Sequence, residues 1–200
     1  MKRVEFLYDF GSPNAYLAHK ALPEIAARAG AEIVHVPILL GGIFKATGNQ
    51  SPAAAYAHIP AKLAYEMKEI ARFVARHRIA FRMNPFFPVN TLTLMRGAIA
   101  AARLAVAPRY VDAVFDAMWR SPRNMGDPDT ARAAIEEAGL DAAAILALAG
   151  DAAVKAELTA NTERAAARGV FGAPSFFIGD ELWFGKDRLR DLEDHLVSGG

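Results

Sequence analysis

The hydrophobic pattern at the start of the chain predicts a strand, a helix and a second strand. Aromatic or branched side chains occupy every second position of residues 3–10, namely Val4, Phe6, Tyr8 and Phe10, as in a strand. Ser12 is a suitable N-cap, and Pro13 stands at the first helical position, where proline is favoured. The helix should run to Gly30, and Pro23 predicts a kink or a break within it. Residues 31–38 are rich in β-branched side chains, so they should pair with the first strand in parallel.

The middle of the chain carries only helical periodicity. Residues 39–52 form a glycine-rich connection for which we predict no regular element. The predicted helices cover residues 60–78, a segment capped by Asn90, a segment opened by Pro108, a segment from Pro128 to Gly139, and residues 141–149 and 151–168. Residues 82–89 read as a proline-bounded loop.

Strand signals return near the C-terminus. Residues 174–178 and 181–184, separated by Gly179-Asp180, predict a hairpin with a two-residue turn, and a helix should follow. The chain is therefore predicted to be α/β, in the order βαβ, helices, ββα. We expect residues 1–38 and 172–200 to form one domain, interrupted by a large all-helical insertion domain at residues 39–171.

Composition narrows the possible functions. The chain has 200 residues, 53% of them hydrophobic, and a formal net charge of +1, so it should bury a core and offers no electrostatic reason to bind nucleic acid. It contains no cysteine, which excludes a disulfide, a zinc–thiolate site and a thiol nucleophile. Any thiol chemistry must use a sulfur from outside. We expect no metal site, no membrane partner, no targeting signal and a cytoplasmic location.

Three local features are candidates for chemistry. Ser12 lies at a predicted helix N-terminus, which stabilises anions and lowers the pKa of a thiol; the alternative is that Ser12 only caps its helix, and the residues alone favour that interpretation. Pro174 stands where a strand begins. Lys45 and Asn49 are able to reach a carboxylate, or they belong to a solvated loop; their order does not fit a phosphate loop.

Four stretches together resemble a known family. They are DFGSPNAYLA (9–18), GGIFKATGN (41–49), NPFFPVNTL (84–92) and RGVFGAPSFFIGDELWFGKDRL (168–189). Over essentially the whole chain, they resemble the 2-hydroxychromene-2-carboxylate isomerases and their relatives, the kappa-class glutathione transferases. These families belong to the DsbA-like branch of the thioredoxin fold. The usual C-x-x-C of that fold is replaced here by residues 12–15, Ser-Pro-Asn-Ala.

The resemblance implies a glutathione site. Ser12 would be the catalytic residue and would hydrogen-bond the sulfur, holding it as a thiolate. Ala173, before a cis-Pro174, would pair its backbone with the cysteinyl part. The segment at another helix start would hold the γ-glutamyl end through Phe184, Gly185, Lys186 and Asp187, with Asp187 facing the ammonium group.

The resemblance also implies the substrate side and the reaction. Lys45 and Asn49 would approach the substrate or the tripeptide, and Asn84 and Phe86 would line the substrate side. The implied activity is the interconversion of 2-hydroxychromene-2-carboxylate, a small aromatic carboxylate, with trans-o-hydroxybenzylidenepyruvate, in the breakdown of naphthalene-type aromatics. Glutathione would act by reversible thiolate addition. A homodimer is implied too. The alternatives are a kappa-like glutathione transferase or peroxidase, and a non-catalytic glutathione-binding scaffold.

Overall fold

A mixed four-stranded sheet forms one layer of the protein. The computed structural model describes residues 2–198. The strands are β1 (Lys2–Tyr8), β2 (Ala31–Pro37), β3 (Ser175–Ile178) and β4 (Glu181–Phe184), in the order β2-β1-β3-β4. β1 pairs with β2 in parallel and with β3 antiparallel, and β3 and β4 form the predicted hairpin. The first strand is thus central. Its neighbour β2 comes from the N-terminal part of the chain, and its neighbour β3 comes from the C-terminal part.

Ten α-helices surround this sheet within residues 2–198. They are α1 (Pro13–Ala29), α2 (Leu40–Thr47), α3 (Pro52–Ala55), α4 (Pro60–His77), α5 (Leu92–Arg103), α6 (Ala107–Trp119), α7 (Pro128–Glu137), α8 (Ala142–Ala149), α9 (Ala152–Ala167) and α10 (Leu189–Ser198). A 3-10 turn at Lys186–Arg188 precedes α10. The α/β class and the helical insertion between the strands are confirmed.

The local signals at the two ends of α1 are confirmed. Ser12 is its N-cap, and Gly30 ends it with a φ of 62°, in the left-handed region. The break that Pro23 predicted is wrong, because α1 continues past this residue to Ala29. Leu22 and Ile25 on either side are buried, and this burial offsets the backbone hydrogen bond that proline cannot donate.

The connection after β2 contains a helix that the sequence pattern did not predict. Residues Leu40–Thr47 form α2, whereas we expected no regular element there. Gly42 lies against α9, where an added Cβ would come within 2.8 Å of Thr162 Cγ2. The glycine therefore permits close packing of the two helices. The predicted start of α5 is shifted by one residue. Thr91 is the N-cap, whereas we expected Asn90, and the Asn90 side chain accepts a hydrogen bond from the Leu92 N–H at 3.0 Å.

Two hydrophobic clusters lie on opposite faces of the sheet. The larger one contains Phe6, Tyr8 and Phe10 with Phe115 and Trp119. The smaller one contains Leu7, Ile38, Ile43, Ala165, Val170 and Phe177. The C-terminal half of β1 is consequently buried on both faces, although its alternating pattern predicted one. Residues just after Tyr8 are thus anchored at the end of a central strand. No helix in the described range is long and apolar enough to cross a bilayer.

His35 on the edge strand β2 packs among aromatic side chains. Its ring lies edge-on to those of Phe6 and Tyr8, with centroids 5.6 and 5.9 Å away, and 5.8 Å from the His19 ring. Burial and the nearby His19 lower the pKa of His35 to about 4. His35 is therefore neutral near pH 7.

Candidate functional site

Ser12 joins two of the sequence features that the chain separates by 161 residues. Its hydroxyl oxygen accepts a hydrogen bond from the Ala15 N–H at 3.1 Å, and its hydroxyl donates to the Ala173 carbonyl at 2.8 Å. The side chain is buried at 6% exposure, and the Ala173–Pro174 peptide bond is cis. Ser12 therefore caps α1, as the simpler interpretation required, and also contacts the loop that faces the helix.

The hairpin brings the segment from Phe184 to Asp187 to the same loop. The Gly185 N–H donates to the Pro174 carbonyl at 2.9 Å, and Phe184 pairs with the residue after Pro174 in the β3–β4 register. Gly185 has a φ of 90°, a conformation that favours glycine. The predicted residues Ala173, Pro174, Phe184 and Gly185 thus lie next to one another.

Lys186 and Asp187 form an ion pair at the start of the 3-10 turn. The Lys186 ammonium group donates to Asp187 Oδ1 at 2.6 Å and lies 5.0 Å from the centre of the Phe73 ring. The Lys186 side chain is 3% exposed, whereas that of Asp187 is 57% exposed. Lys186 is thus a buried support, and the Asp187 carboxylate remains accessible to a cationic group.

Asn49 lies close to these residues, after the end of α2. Its side-chain amide donates to the Phe171 carbonyl at 2.8 Å, two residues before Ala173. The Phe171 and Phe184 rings lie 4.4 Å apart, and an added Cβ on Gly172 would come within 2.9 Å of the Phe184 ring. Asn49 therefore holds the loop that carries Ala173.

Lys45 lines a cleft that none of the other predicted site residues lines. It is exposed in the last turn of α2 and lines a cleft between α2, α5 and α9. Its predicted approach to substrate or tripeptide stays a prediction.

The side-chain amide of Asn84 forms hydrogen bonds within the protein. The amide nitrogen donates to the Met118 and Arg123 carbonyls, each at 3.0 Å, and Oδ1 accepts from the Phe86 N–H at 2.9 Å. Asn84 is buried at 4% exposure, while the Phe86 side chain is exposed. Asn84 thus shapes the loop that presents Phe86, and the predicted contact of both with substrate stays untested.

Asp9, three residues before Ser12, is a buried carboxylate that the sequence reasoning did not single out. Its Oδ1 accepts from the Gly11 N–H at 2.8 Å and the Thr91 hydroxyl at 2.7 Å, and its Oδ2 accepts from the Leu40 N–H at 2.8 Å. Burial raises the pKa of Asp9, while these donors act in the opposite direction. An aspartate at the buried end of a strand, directly before a Gly-Ser-Pro turn, is the signal that would have identified it.

The helices also hold the backbone of the Ser12 turn. The Phe10 N–H points to Met95 Sδ at 3.4 Å on α5, and the Trp119 indole N–H on α6 donates to the Phe10 carbonyl at 2.8 Å. Trp119 is fully buried. The insertion therefore positions the residues that lead into α1.

The hydrogen-bond partners of Ser12 define what it can do chemically. Its partners are backbone groups, and no imidazole or carboxylate within the described residues accepts its proton. This arrangement lacks the base that an activated serine nucleophile needs. A hydroxyl at the N-terminus of a 17-residue helix is instead suited to donate a hydrogen bond to an anion.

Comparison with known proteins shows which family the chain belongs to. Residues 3–197 match the DsbA-like thioredoxin domain family. The 2-hydroxychromene-2-carboxylate isomerase of Sphingobium xenophagum is 30% identical over 98% of this chain and 98% of its own length. The chain belongs to the DsbA-like thioredoxin family, in the branch that contains these isomerases.

A solved structure and a more distant relative agree with this placement. The structure of a selenomethionine 2-hydroxychromene-2-carboxylate isomerase superposes with a TM-score of 0.84 at 30% identity, covering 98% of this chain and 95% of the other. Glutathione S-transferase kappa 1 of Rattus norvegicus is 26% identical over 94% of this chain and 88% of its own length. The expected enzyme class, an isomerase, is confirmed, as is the relation to the kappa class.

Proposed function

We propose that the protein is a glutathione-dependent isomerase that interconverts 2-hydroxychromene-2-carboxylate and trans-o-hydroxybenzylidenepyruvate. The observation that carries the proposal is the contact of the Ser12 hydroxyl, at the α1 N-terminus, with the Ala173 carbonyl in a chain without cysteine. The relatives named 2-hydroxychromene-2-carboxylate isomerase support the first of these two compounds as the substrate.

The residues present fit a bound tripeptide thiol. The Ser12 hydroxyl and the α1 N-terminus would face the sulfur, as both favour an anion. Within residues 2–198 the Ala173 N–H donates to no protein acceptor, so it is free to pair with a peptide backbone. The accessible Asp187 carboxylate offers a partner for an ammonium group.

The hydroxyl of Ser12 would change its acceptor when glutathione binds. Its proton now lies toward the Ala173 carbonyl, and rotation about the Cβ–Oγ bond would direct it to the sulfur. The Ala173 carbonyl would then be available to the tripeptide backbone. When bound, glutathione would supply a thiolate that adds reversibly to the electron-poor double bond of the substrate and is regenerated on elimination. This chain's residues would lower the pKa of that thiol and orient it.

The test is a spectrophotometric assay of the purified protein with and without glutathione. We expect the substrate absorbance to relax to equilibrium faster than in buffer only when both protein and glutathione are present. A variant in which Asp187 is replaced by asparagine should need more glutathione for half-maximal rate, because the accessible carboxylate is lost. Relaxation that the protein does not accelerate would disprove the stated activity.

A kappa-like transferase or peroxidase is the second candidate, and the relation to the rat kappa enzyme favours it. It would use the same Ser12 site with a different substrate pocket. Formation of a conjugate with a chlorinated aromatic acceptor, together with no isomerisation, would favour this candidate.

A non-catalytic glutathione-binding scaffold would bind without turnover. A ligand at about 100 times its Kd adds about 2.7 kcal/mol to the free energy of unfolding. Both enzymatic proposals therefore predict a rise in thermal midpoint with millimolar glutathione. A rise without either activity would favour the scaffold, and no rise would contradict all three.

The homodimer and the cytoplasmic location belong to the same proposal and rest on the family resemblance. Light scattering of the purified protein tests the first, with a monomer mass as the contrary result. Cell fractionation tests the second.

A further inference from the structure

The loop between α9 and β3 has a hydrogen-bond donor on each of four successive carbonyl groups. The donors come from different parts of the chain. For the Phe171, Gly172, Ala173 and Pro174 carbonyls they are, in order, the Asn49 amide, the Ser175 hydroxyl, the Ser12 hydroxyl and the Gly185 N–H, at 2.8, 2.8, 2.8 and 2.9 Å. The Ser175 hydroxyl is the donor that neither the sequence motifs nor the proposed mechanism uses.

Ser175 is held firmly by the sheet. It is the first residue of β3, and it pairs with Leu7 of β1 and with Phe184 of β4. Ser175 is completely buried, at 0% exposure. A buried hydroxyl costs free energy when its hydrogen bond is not made, so the bond to the Gly172 carbonyl is retained. The hydroxyl is therefore a fixed donor to the loop.

This donor sets the direction of the Ala173 N–H through one peptide unit. The Gly172 carbonyl and the Ala173 N–H belong to the same planar group, and the peptide bond between the two residues is trans. The carbonyl and the N–H of a trans peptide point in opposite directions. Since the carbonyl points to the buried Ser175 hydroxyl, the N–H points away from it. That N–H has no protein acceptor within residues 2–198.

The peptide unit needs such an anchor because Gly172 precedes it. Glycine has more backbone freedom than any other residue, so rotation of this unit is restricted less by Gly172 itself than by its contacts. An added Cβ on Gly172 would come within 2.9 Å of the Phe184 ring, which explains why a glycine stands here. Within the described residues, the Ser175 hydroxyl is the one donor to the Gly172 carbonyl.

Ser12 and Ser175 hold the two peptide units on either side of Ala173. Ser175 donates to the carbonyl before this residue, and Ser12 donates to the carbonyl of Ala173 itself. In the proposed mechanism, the Ser12 hydroxyl turns from that carbonyl to the sulfur and releases its peptide unit. The Ser175 bond involves no ligand atom, so it holds the Ala173 N–H in place while Ser12 changes its acceptor.

We infer that Ser175 is a positioning residue of the glutathione site, which aims the Ala173 N–H at the backbone of the tripeptide. The inference rests on the proposed function, because it needs glutathione in the Ser12 site. It assigns Ser175 to the binding of the tripeptide backbone and not to the chemistry of the sulfur.

Titration calorimetry of the full chain with glutathione and with S-methylglutathione tests the inference without turnover. Ser175→Ala should weaken both ligands by the same factor, roughly three- to tenfold, because one neutral hydrogen bond is lost. Ser12→Ala should weaken glutathione more than S-methylglutathione, since Ser12 acts on the thiolate. In the isomerase assay, Ser175→Ala should raise the KM for glutathione and leave kcat at saturating glutathione unchanged.

Two matched variants separate this role from general stability. Ser175→Thr keeps the hydroxyl and should keep the wild-type affinity. Tyr110→Phe removes another buried hydroxyl, which donates to the Leu94 carbonyl at 2.9 Å. It should lower the thermal midpoint and leave the affinity for both ligands unchanged. A measurement on the wild type needs no variant: glutathione should slow the hydrogen exchange of the Ala173 N–H.

The outcomes distinguish this inference from the proposed function. Wild-type affinity in Ser175→Ala, an equal loss in Tyr110→Phe, or a Ser175→Ala protein that loses kcat with an unchanged KM would overturn the role of Ser175 alone. So would exchange of the Ala173 N–H that glutathione does not slow. A wild-type protein that does not bind glutathione would overturn both.

Discussion

Replacing Ser12 by alanine separates the structural role of this residue from its proposed catalytic role. The substitution removes one hydroxyl that makes two hydrogen bonds, from the Ala15 N–H at 3.1 Å and to the Ala173 carbonyl at 2.8 Å. It leaves the helix without a side-chain cap. In the proposed complex, it also removes the donor to the sulfur. Stability and catalysis should therefore both change, and their magnitudes follow from different contacts.

The cost in stability follows from the lost cap. An N-cap serine is worth about 1 kcal/mol, which corresponds to a fall in thermal midpoint of about 2–4 °C for a chain of this size. The catalytic effect follows from a hydrogen bond to a charged group, worth roughly 1.5–3 kcal/mol. At 1.36 kcal/mol per pKa unit, the pKa of the bound thiol should rise by about 1–2 units. Turnover near neutral pH should fall roughly ten- to hundredfold.

Two measurements on the same protein test this reasoning. The ultraviolet absorbance of the thiolate, followed against pH with glutathione bound, gives the pKa of the thiol, and kcat/KM for the isomerisation gives the catalytic loss. Asp141→Ala is the matched control, because Asp141 caps α8 by accepting from the Ala144 N–H at 2.9 Å. It should lower the thermal midpoint similarly and leave both other quantities unchanged. A Ser12→Ala protein with the thermal loss alone would refute the catalytic role and leave Ser12 as a cap.

Two further predictions concern stability. Gly97→Ala should destabilise the protein by roughly 1–3 kcal/mol, because an added Cβ would lie 2.0 Å from the Tyr110 hydroxyl oxygen. Gly41→Ala should instead stabilise the protein by up to about 1 kcal/mol, because an added Cβ at this position in α2 would meet no neighbouring side chain within 4 Å. If both variants shift the denaturant midpoint in the same direction from that of the wild type, this packing argument is wrong. The free energy of unfolding should fall as the pH is lowered from 6.5 towards 4, because unfolded His35 takes up a proton that the folded residue, with its pKa lowered to about 4, does not. Pairing denaturation curves of wild type and His35→Gln across this range should show a smaller loss in the variant, and parallel losses would show that His35 does not contribute.

Local signals in the sequence were sufficient for the elements that bear the Ser12 site. Ser12 and Gly30 bound α1 because caps depend on the few residues around a helix end. The Gly179-Asp180 turn joins β3 to β4 because a glycine, here with a φ of 59°, accommodates the two-residue turn. The resemblance placed Ser12 and Ala173 in one glutathione site, but no local signal predicted the hydrogen bond between residues so far apart in the chain.

The remaining parts depend on tertiary contacts. Gly41 and Gly42 made residues 40–47 look like a loop, yet Gly42 is where α2 meets Thr162 of α9. The position of Lys45 follows from that helix, and so it lines a cleft that the loop interpretation did not foresee. Asp9 follows the alternate positions of a strand whose pattern predicts one buried face, whereas β1 is central and buried on both faces at this end. Each case is a packing outcome that overrides a local preference.

The Asp9 carboxylate also determines how the molecule unfolds. Two of its three donors, Leu40 and Thr91, lie beyond residue 38, on the far side of the boundary predicted between the two domains. A shortened chain that joins residues 1–38 to 172–200 would leave this carboxylate with only the Gly11 N–H. It would also expose Phe10, because Phe115 and Trp119 in the same hydrophobic cluster belong to the insertion. Strand and insertion are thus one cooperative unit, which should melt in a single calorimetric transition, and the Ser12 turn cannot be grafted onto a minimal thioredoxin scaffold without the helices that hold it.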